Sequence, residues 1–326
     1  MDGNLEQVVQ KIEPRGKLLR AWPLKGGISA AMTALEIECA DGPAGAARRV
    51  IVRQPGGPAL RRNPRAARDE FKLLQLAHTW GLAAPEPVHL DESGKILPAP
   101  FLVIRYIEGH PEFAPTDLLA YIVQFAARLA QIHSVDGSRP ELFFLPRLDS
   151  KVAGSLMPVA PGQPGVAQPD GALDARSMRD TLAPAWPWPR RNAPVLLHGD
   201  YWPGNTLWCA GRLTAVVDWE DAALGDPLAD LAISRLDVLC IFGIDAMQAF
   251  TQQYRSQATI DDTELPYWDL WAALRLARLV GSSLADWAAF FAPFGRPDIT
   301  EQTIREHYQL FTKLVLEKLE VSSTRR

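Results

Sequence analysis

Apolar and polar positions alternate through the first part of the chain and then change period. "KLLRAWPL" (17–24), "MTALEIECA" (32–40) and "RRVIVRQ" (48–54) follow the two-residue rhythm of half-buried strands. Gly26-Gly27 and a Gly/Ala-rich stretch separate them as turns. Between Pro64 and Trp80 the rhythm lengthens. Ala67, Phe71, Leu74 and Ala77 recur every three or four residues, so one face of a helix is buried there. Pro64 suits the first turn of that helix and Gly81 its end. "PEPVHLDESGKILPAPFLVIRYIEG" (85–109) returns to strands, two of them around an Asp-Glu-Ser-Gly turn. The pattern predicts a sheet of about five strands with one helix inserted after the third.

The texture becomes helical from Thr116, which is a good N-cap with Asp117 in the first turn. Leu118, Ile122, Phe125, Leu129 and Ile132 then form an apolar stripe. Residues 151–193, rich in Pro, Gly and Ala, read as an irregular insertion with one short helix near Leu173–Leu182. Leu196-Leu197 and Ala215-Val216-Val217 read as short buried strands, and Ala210-Gly211 as a hairpin turn within "TLWCAGRLTAVV". Everything beyond reads as helices. The expected architecture is α+β with two lobes: residues 1–108 as a small antiparallel-sheet lobe with a hinge, and residues 109–326 as a larger, mostly helical lobe.

A length of 326 residues agrees with two lobes, and 47% hydrophobic with 22% charged residues is a globular composition. The N-terminus is polar and mixed in charge, without the apolar centre of a signal peptide. No run reaches the ~18 uninterrupted apolar residues of a membrane span. Cys39, Cys209 and Cys240 are widely spaced, so the expectation is a reducing, cytoplasmic setting with neither disulfides nor zinc. Residues 1–108 carry 15 basic against 12 acidic side chains, and the remainder carries 19 against 26. That asymmetry suits an anionic ligand met by the first part and a cation met by the second. The basic run Arg61-Arg62-Asn63-Pro64-Arg65 is short and has no interleaved aromatics, so no nucleic-acid footprint is expected.

Charge falls where strands should be dry. Leu196-Leu197 runs straight into His198-Gly199-Asp200, and Ala215-Val216-Val217 into Asp218-Trp219-Glu220-Asp221. Carboxylates beside buried strands are costly unless a positive charge meets them. A hairpin returns its ends to one another, so Asp200, Asn205 and Asp218 are candidates to converge. Two carboxylates and an amide make an oxygen-rich set that suits Mg²⁺ carrying nucleotide phosphates.

Asp-x-x-x-x-Asn followed by a strand-borne Asp is also the kinase arrangement of base, metal-binding amide and metal-binding carboxylate. "HGDYWPGN…VVDWEDAALGDPLADLA" resembles the aminoglycoside phosphotransferase / choline kinase family of kinase-like small-molecule phosphotransferases. The motif block covers about a tenth of the chain, and the expected lobe order is similar to the family's from roughly residue 17 to 315. The resemblance implies a protein-kinase-like fold and transfer of the γ-phosphoryl group of ATP to the hydroxyl of a small molecule. It implies that Asp200 accepts or orients the substrate hydroxyl and that Asn205 and Asp218 hold Mg²⁺. His198 would brace the loop, Glu220 would approach a second metal, and Asp230 would fix the catalytic loop by hydrogen bonds.

A kinase further requires a strand cation for the phosphates and a helix acid to position it. Alternation along Val50-Ile51-Val52-Arg53 puts Ile51 and Arg53 on one face, Ile51 toward adenine and Arg53 toward phosphate. Glu70, on the inward side of its helix, is the partner for Arg53. Protein kinases carry lysine at this point, and the planar fork of arginine is not equivalent to it. Gly26-Gly27-Ile28-Ser29 would cover the nucleotide, with Ser29 donating to phosphate and Ile28 packing on adenine. The connector "VIRYIEG" would offer main-chain hydrogen bonds to adenine near Arg105 and Ile107. A second reading is a kinase-like nucleotide-binding module without transfer.

Substrate cues point in several directions. Asp261-Asp262-Thr263-Glu264 with Asp269 would attract a polycation or would simply be a solvated helix start. Trp268, Trp271, Trp287, Phe290 and Phe291 fit an apolar pocket or core packing, and Arg275 and Arg278 fit an anionic substrate.

Overall fold

The alternation of the N-terminal segments becomes a sheet in the computed structural model, which describes residues 2–24, 30–39, 47–157, 173–280 and 284–324. The chain separates into two units, Met1–Glu108 with Thr214–Glu220, and Gly109–Leu213 with Asp221–Arg326.

The first unit opens with α1 (Asp2–Ile12), followed by β1 (Lys17–Pro23), β2 (Ala30–Glu38) and β3 (Ala47–Pro55). A short α2 (Gly57–Arg62) and α3 (Ala66–Thr79) come next, then β4 (Pro87–Asp91) and β5 (Phe101–Arg105). The strands form one antiparallel sheet in the order β1-β2-β3-β5-β4. Five strands agree with the pattern; three helices do not agree with the single one expected. The missed α1 places Leu5, Val8 and Val9 against Leu35, Ile37, Val50, Val52, Phe101 and Val103. Each such side chain stabilises the unit by roughly 1.5–3 kcal/mol through burial. Val50 and Val52 thus face this core while Arg53 faces away from it, as strand pleating requires.

The second unit begins with α4 (Leu118–His133), α5 (Leu148–Leu156) and α6 (Ala175–Leu182). The cap of α4 is Asp117, which accepts from the Ala120 N–H at 2.9 Å, rather than Thr116. The carboxylate bonds N3 while Leu118, the first residue of the expected stripe, stays 37% exposed. Within the supposed irregular insertion α6 appears where expected and α5 is additional. Short β6 (Val195–Leu197) pairs antiparallel with β9 (Ala223–Gly225). Between them lie β7 (Thr206–Cys209) and β8 (Arg212–Val216, whose last three residues belong to the first unit), joined through Ala210 and Gly211, both at positive φ as a tight hairpin turn needs. The helices α7 (Leu228–Phe242), α8 (Ile244–Gln257), α9 (Leu265–Val280), α10 (Leu284–Phe291) and α11 (Glu301–Thr324) complete the unit.

α7 is its central element. Every residue from Leu228 to Ile241 is buried, and α8, α9 and α11 all pack on this helix. A helix buried all round should be apolar all round. The four polar exceptions, Asp230, Ser234, Arg235 and Asp237, therefore each call for a reason. No helix among the described residues is long and apolar enough to cross a membrane.

Candidate active site

The loop after β6 is held from beneath by α7. Asp230 Oδ2 accepts from the His198 N–H at 2.7 Å, and Oδ1 from the Gly199 N–H at 3.0 Å. His133 Nε2 lies 3.3 Å from the same carboxylate, and His133 Nδ1 is 2.7 Å from the Tyr254 hydroxyl. Burial works to raise the Asp230 pKa, but the hydrogen bond and charge of His133 and the groups of His198 outweigh it and hold the carboxyl below its usual range. Gly199 has φ +82°, and a Cβ there would meet the Asp221 carbonyl oxygen at 2.1 Å, so only glycine fits. The Tyr201 hydroxyl donates to the Phe125 carbonyl at 2.8 Å, and Ser234 Oγ donates to the Tyr201 carbonyl at 2.7 Å. The expected role of Asp230 as a loop brace is thus visible in its bonds, and His133 is a packing and bracing residue.

On this braced loop Asp200 and Asn205 come together. Asn205 Nδ2 donates to Asp200 Oδ2 and to the Asp200 carbonyl, each at 3.0 Å. The amide oxygen is thereby turned away from Asp200, as a metal-binding role would need. Asp200 Oδ1 accepts from Arg275 Nη2 at 2.6 Å. That ion pair was not foreseen. Burial disfavours the Arg275 charge, but Asp200, Asp221 and Asp237 outweigh burial and keep its pKa raised. Lys151 pairs with Asp221 at 2.5 Å.

The expected Arg53–Glu70 pair is present in the first unit, at 2.9 Å, with the two side chains 5% and 7% exposed. Arg53 does more than that. Its Nη2 also donates to Asp218 Oδ1 at 2.8 Å and to Glu220 Oε2 at 2.7 Å. Burial opposes the Arg53 charge, yet the three carboxylates outweigh it and raise the guanidinium pKa. Burial pushes the Glu70 pKa up, and Arg53 only partly offsets this. Asp218 has φ +66°, an uncommon backbone state for a residue with a side chain. One guanidinium is thus shared among three carboxylates.

The other nucleotide candidates divide. Ile51 sits on β3, paired with Ala34 and Ile104, and is half-buried. Arg105 donates its N–H to the Glu86 carbonyl at 2.8 Å, because it ends β5 within the sheet. Its main-chain N–H is therefore already engaged, so a main-chain contact to adenine there would fall to its carbonyl. Ile107 donates to no acceptor among the described residues. Ile28 and Ser29 lie outside the described residues. The acids proposed for a polycation are already paired. Glu264 accepts from Arg191, Asp262 pairs with Arg255, and Asp269 takes both nitrogens of the Arg235 fork. Trp268 and Trp271 are buried and packed edge to face, so they are core.

The fold and the braced loop are those of a kinase-like enzyme. The sequence model of the phosphotransferase enzyme family matches residues 42–275, and the chain belongs to that family. It is 26% identical over 270 residues to rat (Rattus norvegicus) acyl-CoA dehydrogenase family member 11, covering 71% of this chain but 32% of that protein. It is 27% identical over 235 residues to homoserine kinase of Methylocella silvestris, covering 67% and 68%. The chain thus spans about a third of the first of these relatives and two thirds of the second. Among solved structures, the macrolide 2'-phosphotransferase of Brachybacterium faecium matches with TM-score 0.56 and 17% identity over 96% of this chain and 97% of that one. An aminoglycoside phosphotransferase in complex with AMP-PNP and hygromycin B matches with TM-score 0.60 and 16% identity over 95% and 98%.

Proposed function

We propose that the protein transfers the γ-phosphoryl group of MgATP to a hydroxyl of a small molecule. The observation that carries this reading is the Asp200–Asn205 pair on a loop whose N–H groups are fixed by buried Asp230. In the reaction the acceptor oxygen forms a bond to the γ-phosphorus, the bond from that phosphorus to the β-bridging oxygen breaks, and ADP leaves. The hydroxyl proton passes to Asp200. The Arg275 guanidinium stabilises the ionised carboxylate and fixes its orientation.

Arg53 meets the nucleotide phosphates, with Glu70 fixing its side chain, and Ile51 packs against adenine. Ile28 and Ser29 cover the nucleotide, and the connector at Arg105 and Ile107 supplies main-chain contacts. Asn205 and Asp218 are the residues that would hold Mg²⁺, which when bound neutralises phosphate charge. Glu220 shares a guanidinium nitrogen with Asp218 and supports the same charge balance.

The test is ADP release from MgATP with a panel of hydroxylated acceptors: aminoglycosides, macrolides, amino alcohols, sugars and hydroxyacyl thioesters. Release that depends on an acceptor is the expected result. Nucleotide binding with no acceptor-dependent release across the panel would favour the binding-module reading instead.

A further inference from the structure

α7 runs beneath the catalytic loop and presents one polar face to it. Asp230 bonds the His198 and Gly199 N–H groups, and Ser234, one turn on, bonds the Tyr201 carbonyl. Seven residues make almost two whole turns, so Asp237 continues that face roughly 10 Å further along the helix. The remaining polar residue of the helix, Arg235, is satisfied by both oxygens of Asp269 and by Thr251.

Asp237 is different. It is 7% exposed, yet makes no hydrogen bond or ion pair among the described residues. Burial, followed by the charge of Asp200, pushes its pKa up to about 8, and the charge of Arg275 only partly offsets this. A buried carboxyl without a partner is costly, and such groups persist where function supplies the missing partner. Arg275 is incomplete as well. Of its five N–H groups one is committed, to Asp200, and the others meet no acceptor among the described residues. Arg275, bonded to Asp200, and Asp237, on the face of the helix whose Ser234 bonds the Tyr201 carbonyl, therefore both keep polar groups for a ligand.

Resting on the phosphotransferase reading above, we propose that the acceptor substrate is a small zwitterion, a hydroxylated α-amino acid. Its carboxylate sits on the free N–H groups of Arg275, its ammonium on Asp237 and its hydroxyl on Asp200. A guanidinium fork matches a carboxylate in two-point geometry. An ammonium beside Asp237 supplies the charge that lets this buried acid ionise. Arg275 and Asp237 then act as specificity-determining residues, and each end of the zwitterion is read by one of them.

The experiment measures binding by calorimetry and phosphoryl transfer from MgATP in parallel, on wild type, Asp237→Asn and Arg275→Lys. The probes are L-homoserine and L-serine, their amino-alcohol analogues without the carboxylate, and their hydroxy-acid analogues without the ammonium. Expected is binding of at least one zwitterion about 10- to 100-fold tighter than either truncated analogue, the range of a charged hydrogen bond. Asp237→Asn should remove the advantage over the hydroxy acid while leaving the hydroxy acid's own affinity unchanged. Arg275→Lys should remove the advantage over the amino alcohol. A protein merely damaged in folding would lose all ligands together, and thermal melts of each variant identify that case. Truncated analogues that bind and react as well as the zwitterions overturn this inference and leave the phosphotransferase reading standing. Neither zwitterion binding overturns it too. Two-ended binding with no transfer to any probe leaves only the recognition of the zwitterion by Arg275 and Asp237 standing and counts against phosphotransfer.

Discussion

Replacing Arg53 by methionine removes the one cation that three carboxylates share. Glu70 is 7% exposed, whereas Glu220 and Asp218 are 22% and 33% exposed, so Glu70 bears most of the loss. Breaking a buried ion pair by deleting one partner costs about 3–5 kcal/mol, because the other charge is left in a poor dielectric. Deleting both partners costs much less, since neither charge then remains. The Arg53→Met/Glu70→Leu protein should therefore be more stable than Arg53→Met alone, with a coupling energy of about 2–3 kcal/mol in a double-mutant cycle. Urea denaturation at pH 7 measures all four proteins. Repeating it near pH 4.5 supplies an internal check. The carboxylates of Arg53→Met can then take up protons, so its deficit should shrink on acidification. A single-mutant cost below about 1 kcal/mol, or a double mutant no more stable than Arg53→Met, would show that the guanidinium does not hold these acids together.

Two further outcomes follow from the geometry of the second unit. Gly199→Ala should fail to accumulate as folded protein or lose activity, because its Cβ would stand 2.1 Å from the Asp221 carbonyl at a φ of +82°; circular dichroism and an activity assay report this directly. Asp237 has a folded pKa raised to about 8, so the folded state holds a proton that the unfolded chain releases near pH 4. Stability from this group is complete below about pH 4 and declines as pH rises toward 8, by an amount on the order of 5 kcal/mol. Asp237→Asn should abolish that slope and raise the melting temperature at pH 8, and an unchanged slope in a melting series from pH 4 to 9 would contradict the assignment.

The sheet and its Arg53-bearing strand were legible because they rest on local periodicity. Alternation along β3 already separated Val50 and Val52 from Arg53, and the spacing of α3 already turned Glu70 inward. The catalytic loop was legible through its motif. α1 carried a readable signal, Leu5, Val8, Val9 and Ile12 at helical spacing, but its many polar neighbours concealed it. The bonds from Arg53 to Asp218 and Glu220 were not legible, because they join residues 165 and 167 positions apart through a fold no local pattern encodes. Asp237 left a fainter trace, an acid two turns beyond Asp230 in a helix whose other polar residues are Ser234 and Arg235. Its meaning depends on what α9 and the catalytic loop bring beside it. Arg275 by sequence fits an anionic substrate as one of several opposing cues, and its pairing with Asp200 comes from tertiary packing alone.

In the proposed reaction Asp200 serves phosphoryl transfer to a hydroxyl. Its most direct test is ³¹P NMR of product formed from MgATP and an acceptor taken from the ADP-release panel, by wild type and by Asp200→Asn. Expected is a new phosphomonoester resonance with wild type and its loss in the variant, while MgATP binding persists in both. Phosphomonoester formed by Asp200→Asn at the wild-type rate would contradict it.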